Sequence, residues 1–152
     1  SYIVEGDTVL DIGPGMGYFS IPLARMVGEK GKVVAADIQP QMLKALQKRA
    51  NKAGVAKQII THLCNADFLG LDMQFDFVLA FWMVHEVPNQ LAFFKEIKSI
   101  LKPSGKFLLS EPVLHVNQAM YENTIKTAES AGLVLKEKPK ISLSRTSLFA
   151  AN

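Results

Sequence analysis

Residues 8 to 17 read Thr8-Val9-Leu10-Asp11-Ile12-Gly13-Pro14-Gly15-Met16-Gly17, an apolar run that ends in alternating glycines. The aliphatic and β-branched residues predict a buried strand from Thr8 to Ile12, and the glycines predict a tight loop after it. A helix is expected next, because Leu23 and Val27 fall on one helical face before a stop at Gly28. This strand, loop and helix form the first half of a crossover unit.

The same alternation of strand and helix continues to the end of the chain. Further strands are predicted from Lys32 to Asp37, Gln58 to Leu63, Phe75 to Phe81, Lys106 to Ser110, Leu133 to Glu137 and Thr146 to Ala150. Helices are predicted from Pro40 to a stop at Gly54, from about Pro88 to Leu101, and from Asn117 to Ala131, with Lys102-Pro103-Ser104-Gly105 ending the second of these. The alternation predicts an α/β fold with a Rossmann-like, doubly wound, mostly parallel sheet of about seven strands and an antiparallel C-terminal pair.

Length and composition limit the other possibilities. With 152 residues, 49% of them hydrophobic and 20% charged, residues 1–152 are expected to form a single domain. The only cysteine, Cys64, excludes an internal disulfide and a cysteine-rich zinc site, and we expect no metal. The net charge of +3 comes without a nucleic-acid reading motif, so no nucleic-acid partner is expected. No apolar run is long enough for membrane insertion, and Ser1 to Asp7 do not resemble a signal peptide, which favours a cytoplasmic location.

The glycine loop and an acid after the second strand predict a ligand site. Gly13, Gly15 and Gly17 would let a ligand approach the backbone, although glycines also serve simply to make a sharp turn. Asp37 ends the second predicted strand, where a ribose-binding carboxylate is expected. The alternative role for Asp37 is that of an acid placed before the helix that begins at Pro40.

The third glycine narrows the choice of cofactor. A dinucleotide fingerprint needs a small residue at position 18, which is Tyr18 in this chain. Asp11, just before the loop, would repel a pyrophosphate and would suit a ligand with an ammonium or sulfonium group. A nicotinamide cofactor is therefore disfavoured.

The sequence from Thr8 to Ala150 resembles the class I S-adenosylmethionine-dependent methyltransferases. The matching segments are Val9 to Gly17, Asp37, Asn65-Ala66-Asp67-Phe68, Phe75-Asp76-Phe77-Val78-Leu79 and Leu101 to Leu109, in which Ser104 departs from the family pattern. The resemblance implies that S-adenosylmethionine binds here and leaves as S-adenosylhomocysteine. The implied cofactor-binding residues are Asp11, Gly13, Gly15, Gly17, Asp37, Ile38, Ala66, Asp67, Phe68 and Phe81. Among them, Asp11 would orient the methionine amino group, Asp37 the ribose and Asp67 the adenine amino group.

Two further segments resemble a branch of the family that acts on small molecules. Val84-His85-Glu86-Val87-Pro88-Asn89 and Glu111-Pro112 are similar to the ubiquinone and menaquinone biosynthesis methyltransferases, which implies a small-molecule acceptor. Family members usually carry helices before the first strand that close over the cofactor, whereas only Ser1 to Asp7 precede it here. We expect the lid to be absent by truncation, or to come from a partner subunit of a homo-oligomer.

Methyl transfer from a sulfonium needs alignment above all, and it needs a base only when the acceptor must lose a proton. The candidate catalytic residues are His85, Glu111 and His115, with Glu86 beside them; His85 has an alternative structural role in the loop before Pro88. Phe81, Trp82 and Met83 would either face the sulfonium or pack in the core. Two other functions stay open: a binding module for S-adenosylmethionine without catalysis, and a nicotinamide-dependent oxidoreductase.

Overall fold

The computed structural model describes residues 1–152 and contains one seven-stranded sheet. The strands are β1 (Thr8–Ile12), β2 (Lys32–Asp37), β3 (Ile59–Leu63), β4 (Phe75–Phe81), β5 (Leu101–Pro112), β6 (Val134–Glu137) and β7 (Ser144–Ala150). They lie in the order β3-β2-β1-β4-β5-β7-β6. Strands β1 to β5 pair in parallel, whereas β7 is antiparallel to both β5 and β6. The predicted mostly parallel sheet with an antiparallel C-terminal pair is confirmed.

Four helices and two short 3-10 turns connect the strands. The helices are α1 (Ser20–Val27), α2 (Pro40–Ala53), α3 (Gln90–Ile100) and α4 (Gln118–Ser130), and the turns cover Ala56–Gln58 and Val84–Glu86. Asn89 and Asn117 cap α3 and α4 by accepting hydrogen bonds from the backbone of the first turn. None of the helices combines the length and the hydropathy needed to cross a membrane.

The strands alternate between two buried cores, one on each face of the sheet. Val9 and Val33 pack with Val27 of α1 and Leu46 of α2, whereas their neighbours in sequence pack against α3 and α4 on the opposite face. Because successive strand residues point to opposite faces, an uninterrupted apolar strand is what a sheet covered on both faces requires. The order reverses at β1, which lies between β2 and β4, so the loops after these strands diverge and leave a crevice at their carboxyl ends.

The prediction for β5 was wrong at its beginning. The strand starts at Leu101, which pairs with Phe75, and not at Lys106, which pairs with Phe77. Residues 102–105, predicted as a loop, form an irregular part of the strand between these pairs. Gly105 fits there because an added Cβ would lie only 2.9 Å from the Phe75 carbonyl oxygen. The other predicted strands and helices lie within about two residues of the observed bounds, as is usual at element ends.

Candidate cofactor-binding site

A cleft of about 330 Å³ opens at the carboxyl ends of β1, β2 and β4. Eight of the residues that the sequence predicted to bind a cofactor line it: Gly13, Gly15, Asp37, Ile38, Ala66, Asp67, Phe68 and Phe81. Asp11 and Gly17, predicted with them, do not line the cleft. Four acids line the cleft, Asp37, Asp67, Glu86 and Glu96, and no Lys, Arg or His does. The cleft therefore favours a cationic ligand and offers no side-chain cation to a phosphate.

The glycine loop joins β1 to α1 and is held close to the helices. Gly17 has a φ of 95°, and an added Cβ would overlap the Leu46 side chain of α2. Glycine is thus required at this position for packing as well as for backbone conformation. At Gly15 the space around a Cβ is open, which leaves that part of the loop free to contact a ligand in the cleft.

Asp11 lies near the end of β1 and is 1% exposed. The Ser20 hydroxyl, at the start of α1, donates a 2.6 Å hydrogen bond to its Oδ2. Burial raises the pKa of Asp11, the Ser20 hydrogen bond lowers it and the nearby Asp37 carboxylate raises it, and the net result is a pKa of about 6. The carboxyl is therefore poised to change its charge in mildly acidic solution, and a cation close to it would keep it ionised.

Asp37 ends β2 at the floor of the cleft. Its Oδ1 accepts a 2.9 Å hydrogen bond from the backbone N–H of Gln39, and no protein group donates to Oδ2. The hydrogen bond fixes the carboxylate in a turn before α2, so the two roles considered for Asp37 are compatible. The second oxygen stays available to a hydroxyl group of a ligand.

The loop after β3 forms the wall next to Asp37. The backbones of Asn65 and Phe68 pair with each other, and Phe68 is 62% exposed above the cleft. Glu96 of α3 accepts hydrogen bonds from the backbone N–H groups of Leu69 and Gly70 at 3.0 to 3.2 Å. Nε2 of His62 lies 2.6 Å from the Leu69 carbonyl oxygen. Glu96 was missed by the sequence analysis, since it lies on a helix 27 residues from its partner and belongs to no motif.

The opposite wall lies at the end of β4 and consists of Phe81, Trp82 and Met83. Trp82 adopts a φ of 61°, a left-handed conformation that is strained for a bulky side chain. Two hydrogen bonds hold it there: its N–H donates to the Ser110 carbonyl oxygen at 2.7 Å, and its indole Nε1 donates to Ser144 Oγ at 2.9 Å. The Phe81 and Trp82 rings stack with their centroids 5.3 Å apart. Trp82 is 42% exposed and faces the cleft, whereas Phe81 lines the cleft and also packs, partly buried, against the core, so both roles considered for it apply.

The three predicted catalytic residues lie together beside the cleft and do not line it. Nδ1 of His85 is 3.3 Å from Oε1 of Glu111, and the His85 and His115 rings stack with centroids 6.0 Å apart. Glu111 is completely buried near the end of β5, and its Oε2 has no hydrogen-bond partner. Burial raises the pKa of Glu111, against the opposing effect of His85. Glu86, next to His85, does line the cleft.

No group of three His, Cys, Asp or Glu side chains is arranged to hold a metal ion, and Cys64 is a free thiol that lines the cleft. The groups that line the cleft and can recognise a ligand are carboxylates, side-chain amides, backbone groups and aromatic rings. S-adenosylmethionine fits this donor set. It offers ribose hydroxyls to Asp37 and positive charge to an acidic cleft, and it has no phosphate.

Comparison with known proteins agrees with this assignment. A model of the family described as "Methyltransferase domain" matches residues 3–144. The chain is 32% identical over 126 residues to the ubiquinone/menaquinone biosynthesis C-methyltransferase UbiE of Escherichia fergusonii, and 31% identical to that of Salmonella arizonae. Each match covers 80% of this chain and 50% of the relative, so the chain spans about half the length of the curated relatives it matches.

Solved structures extend the comparison to the fold. The chain superposes on a SAM-dependent methyltransferase from Aquifex aeolicus with a TM-score of 0.85 and 28% identity, covering 97% of this chain and 83% of that one. Fibrillarin from Aeropyrum pernix, crystallised with natively bound S-adenosylmethionine, superposes with a TM-score of 0.78 at 17% identity, covering 99% and 69%; that likeness is one of fold. The chain belongs to the methyltransferase domain family of class I S-adenosylmethionine-dependent methyltransferases, and its cofactor is S-adenosylmethionine.

Proposed function

We propose that this chain transfers a methyl group from S-adenosylmethionine to a small-molecule acceptor. The observation that carries the proposal is the charge of the cleft: four carboxylates line it, and no basic side chain does. A cationic amino-acid nucleoside is attracted to such a cleft, whereas a dinucleotide or a nucleic-acid backbone would bring its phosphates against acids.

The residues along the cleft suggest which part of the cofactor each would hold. Asp37 would bind the ribose hydroxyls through its free oxygen, with Ile38 alongside. Asp67 and Ala66 would contact the adenine, with the exposed Phe68 ring covering it. Gly13 and Gly15 would border the methionine carboxylate, and Asp11, positioned by Ser20, would balance the methionine ammonium group.

When bound, S-adenosylmethionine supplies an electrophilic methyl group on a sulfonium, which leaves as a neutral thioether. The chain's own residues then have to align the acceptor and exclude water. Phe81, Trp82 and Met83 are the residues that would do so, because they form the wall opposite Asp37. Aromatic faces near a sulfonium are worth about 0.5 to 2 kcal/mol.

Two observations favour a small acceptor. The cleft has a volume of about 330 Å³ and no side-chain cations. The matched relatives are named as C-methyltransferases of ubiquinone and menaquinone biosynthesis. We expect the acceptor next to the aromatic wall, where β4 and β5 end.

Incubation of the chain with methyl-labelled S-adenosylmethionine and a panel of small metabolites tests the proposal. We expect label in at least one acceptor, and its loss in the variant Asp37→Ala. Binding of the cofactor without transfer to any acceptor would instead identify a binding module. Label appearing only in added RNA would overturn the small-molecule assignment.

A further inference from the structure

Glu111 is a buried carboxylate that lacks a full set of hydrogen-bond partners and a balancing charge. It is 0% exposed, and only its Oε1 has a hydrogen-bond partner, Nδ1 of His85 at 3.3 Å. Burying a carboxylate with an unpaired oxygen is costly, so such a group calls for an explanation beyond packing.

The charges around Glu111 do not neutralise it. Arg145 is its cross-strand partner on β7, but the guanidinium donates to the Val116 carbonyl oxygen and to Gln118. Tyr121 of α4 is hydrogen-bonded to Ser147. The backbone N–H groups of Val84 and His85 lie near enough to the carboxylate to lower its pKa, but neither forms a hydrogen bond with it. His85 is thus the one side chain that pairs with Glu111.

The pairing with Glu111 determines which imidazole nitrogen of His85 carries the hydrogen. With Nδ1 directed at a carboxylate, the imidazole carries its hydrogen on Nδ1, and Nε2 is left as a proton acceptor. Nε2 lies 3.9 Å from Oε1 of Glu86, a residue that lines the cleft. The ring is held on its other side by stacking with His115, and 21% of the His85 side chain is exposed, which gives a proton a route to solvent.

We infer that His85 takes up the proton that the substrate loses when it is methylated, and that Glu111 positions the His85 imidazole. The inference rests on the proposed function and adds a substrate class to it: the acceptor carries a hydroxyl or carbon-bound hydrogen that is not ionised at neutral pH. The bond from the acceptor atom to the methyl carbon forms as the carbon–sulfur bond breaks, with its electron pair passing to sulfur. The acceptor's proton passes to Nε2, and the imidazolium formed is stabilised by the Glu111 carboxylate before it releases the proton to solvent.

The first test needs no turnover. Long-range ¹H–¹⁵N NMR spectra of the labelled full chain with bound S-adenosylhomocysteine report which imidazole nitrogen is protonated, and His62→Gln and His115→Gln assign the signals. We expect hydrogen on Nδ1 of His85 in mildly alkaline solution, and loss of this pattern in Glu111→Gln, because an amide can donate to Nδ1 and reverse the tautomer. Hydrogen on Nε2 in the unaltered chain, or an unchanged pattern in Glu111→Gln, would overturn the inference.

The second test uses three acceptors with the same ring: 4-ethylphenol, 4-ethylthiophenol and 4-ethylaniline. Only the phenol must lose a proton before or during attack. We expect His85→Gln and Glu111→Gln to lower kcat/KM for the phenol by about 10² to 10⁴ and to leave transfer to the thiol nearly unchanged. Glu129→Gln, which removes an exposed carboxylate from α4, is the charge-matched control and should leave all three rates unaltered.

Calorimetry with S-adenosylhomocysteine separates the possible failures. A folded chain that does not bind it defeats the proposed function. Binding with transfer to the thiol and aniline only, or an equal loss for all three acceptors in His85→Gln, defeats the assignment of His85 and leaves the proposed function standing. Binding without transfer to any of the three also defeats the assignment of His85, and the metabolite panel then decides the proposed function. A variant that binds as tightly as the unaltered chain is folded, so a rate loss in it is chemical in origin.

Discussion

The Ser20 hydroxyl and the Asp11 carboxylate are hydrogen-bonded at 2.6 Å beneath the glycine loop. This contact holds a fully buried acid at the point where β1 meets α1. Burial raises the pKa of Asp11 to about 6 from an ordinary value of 3.8. The folded chain therefore binds a proton at Asp11 more tightly than the unfolded chain does.

We expect Asp11→Asn to stabilise the free protein. Because the pKa of Asp11 is raised in the folded state, the stability that its protonated form contributes is fully present below about pH 4 and is lost as the pH rises through about 6. A shift of about two units corresponds to roughly 3 kcal/mol, so the amide should gain about 1 to 3 kcal/mol in mildly alkaline solution and almost nothing near pH 4. Urea denaturation at the two pH values measures this. A variant that is less stable in alkaline solution would show that Asp11 contributes to the fold through its charge.

The affinity for S-adenosylmethionine should fall in acid. If the ionised Asp11 balances the methionine ammonium group, protonation with a pKa of about 6 should weaken binding roughly tenfold by about pH 5. Calorimetric titrations across this range give the profile. In Asp11→Asn the affinity should be lower and nearly independent of pH. An identical slope in the variant would assign the effect to another group.

Asp37→Ala should weaken cofactor binding by about 10² to 10⁴. The variant loses charge-assisted hydrogen bonds to two ribose hydroxyls, each worth about 1.5 to 3 kcal/mol. Equilibrium dialysis with labelled cofactor suits this range. Asp72→Ala, which removes an exposed acid outside the cleft, is the matched control and should bind normally. Equal affinities for the two variants would remove Asp37 from the site.

Gly17→Ala should destabilise the chain by about 2 to 4 kcal/mol. The methyl group would overlap Leu46 in addition to occupying a left-handed conformation. Gly54→Ala isolates the conformational cost, because Gly54 also has a positive φ and has nothing within 4 Å of an added Cβ. Gly54→Ala should lower the free energy of unfolding by about 1 kcal/mol, as measured by thermal denaturation. Equal losses would mean that α2 moves aside without cost.

Trp82 should report ligand binding by itself, since it is the only tryptophan and lines the cleft. We expect its emission to change on titration with S-adenosylhomocysteine, with a Kd equal to that from calorimetry. Trp82→Phe supplies the blank. If calorimetry shows binding while the Trp82 emission stays constant, the ligand lies away from the wall formed by Phe81, Trp82 and Met83.

Most of the fold could be predicted from the sequence because the central strands β1, β2 and β4 are largely apolar. β2 was predicted with its observed bounds, Lys32–Asp37, since its uninterrupted aliphatic run is bounded by a charged residue at each end. The beginning of β5 could not be predicted in this way. It depends on the pairing of Leu101 with Phe75, a contact between distant residues that leaves no local pattern.

The same distinction applies to the site. Gly13 follows β1, Asp37 ends β2 and Asp67 lies in the loop after β3. The carboxyl ends of parallel strands meet at one edge of the sheet, so the cleft that these residues share follows from the topology. Glu96 was missed because it reaches the cleft from a helix. The pairing of His85 with Glu111 spans 26 residues, and their placement beside the cleft instead of in it depends on how the turn Val84–Glu86 packs against β5.

A crystal structure of the chain with S-adenosylhomocysteine tests the central claim most directly. The account predicts the ligand in the cleft, with its ribose on Asp37, its adenine between Asp67 and Phe68, and its sulfur facing the wall that contains Trp82. An empty cleft at saturating ligand, or a ligand bound with its ribose away from Asp37, would contradict it.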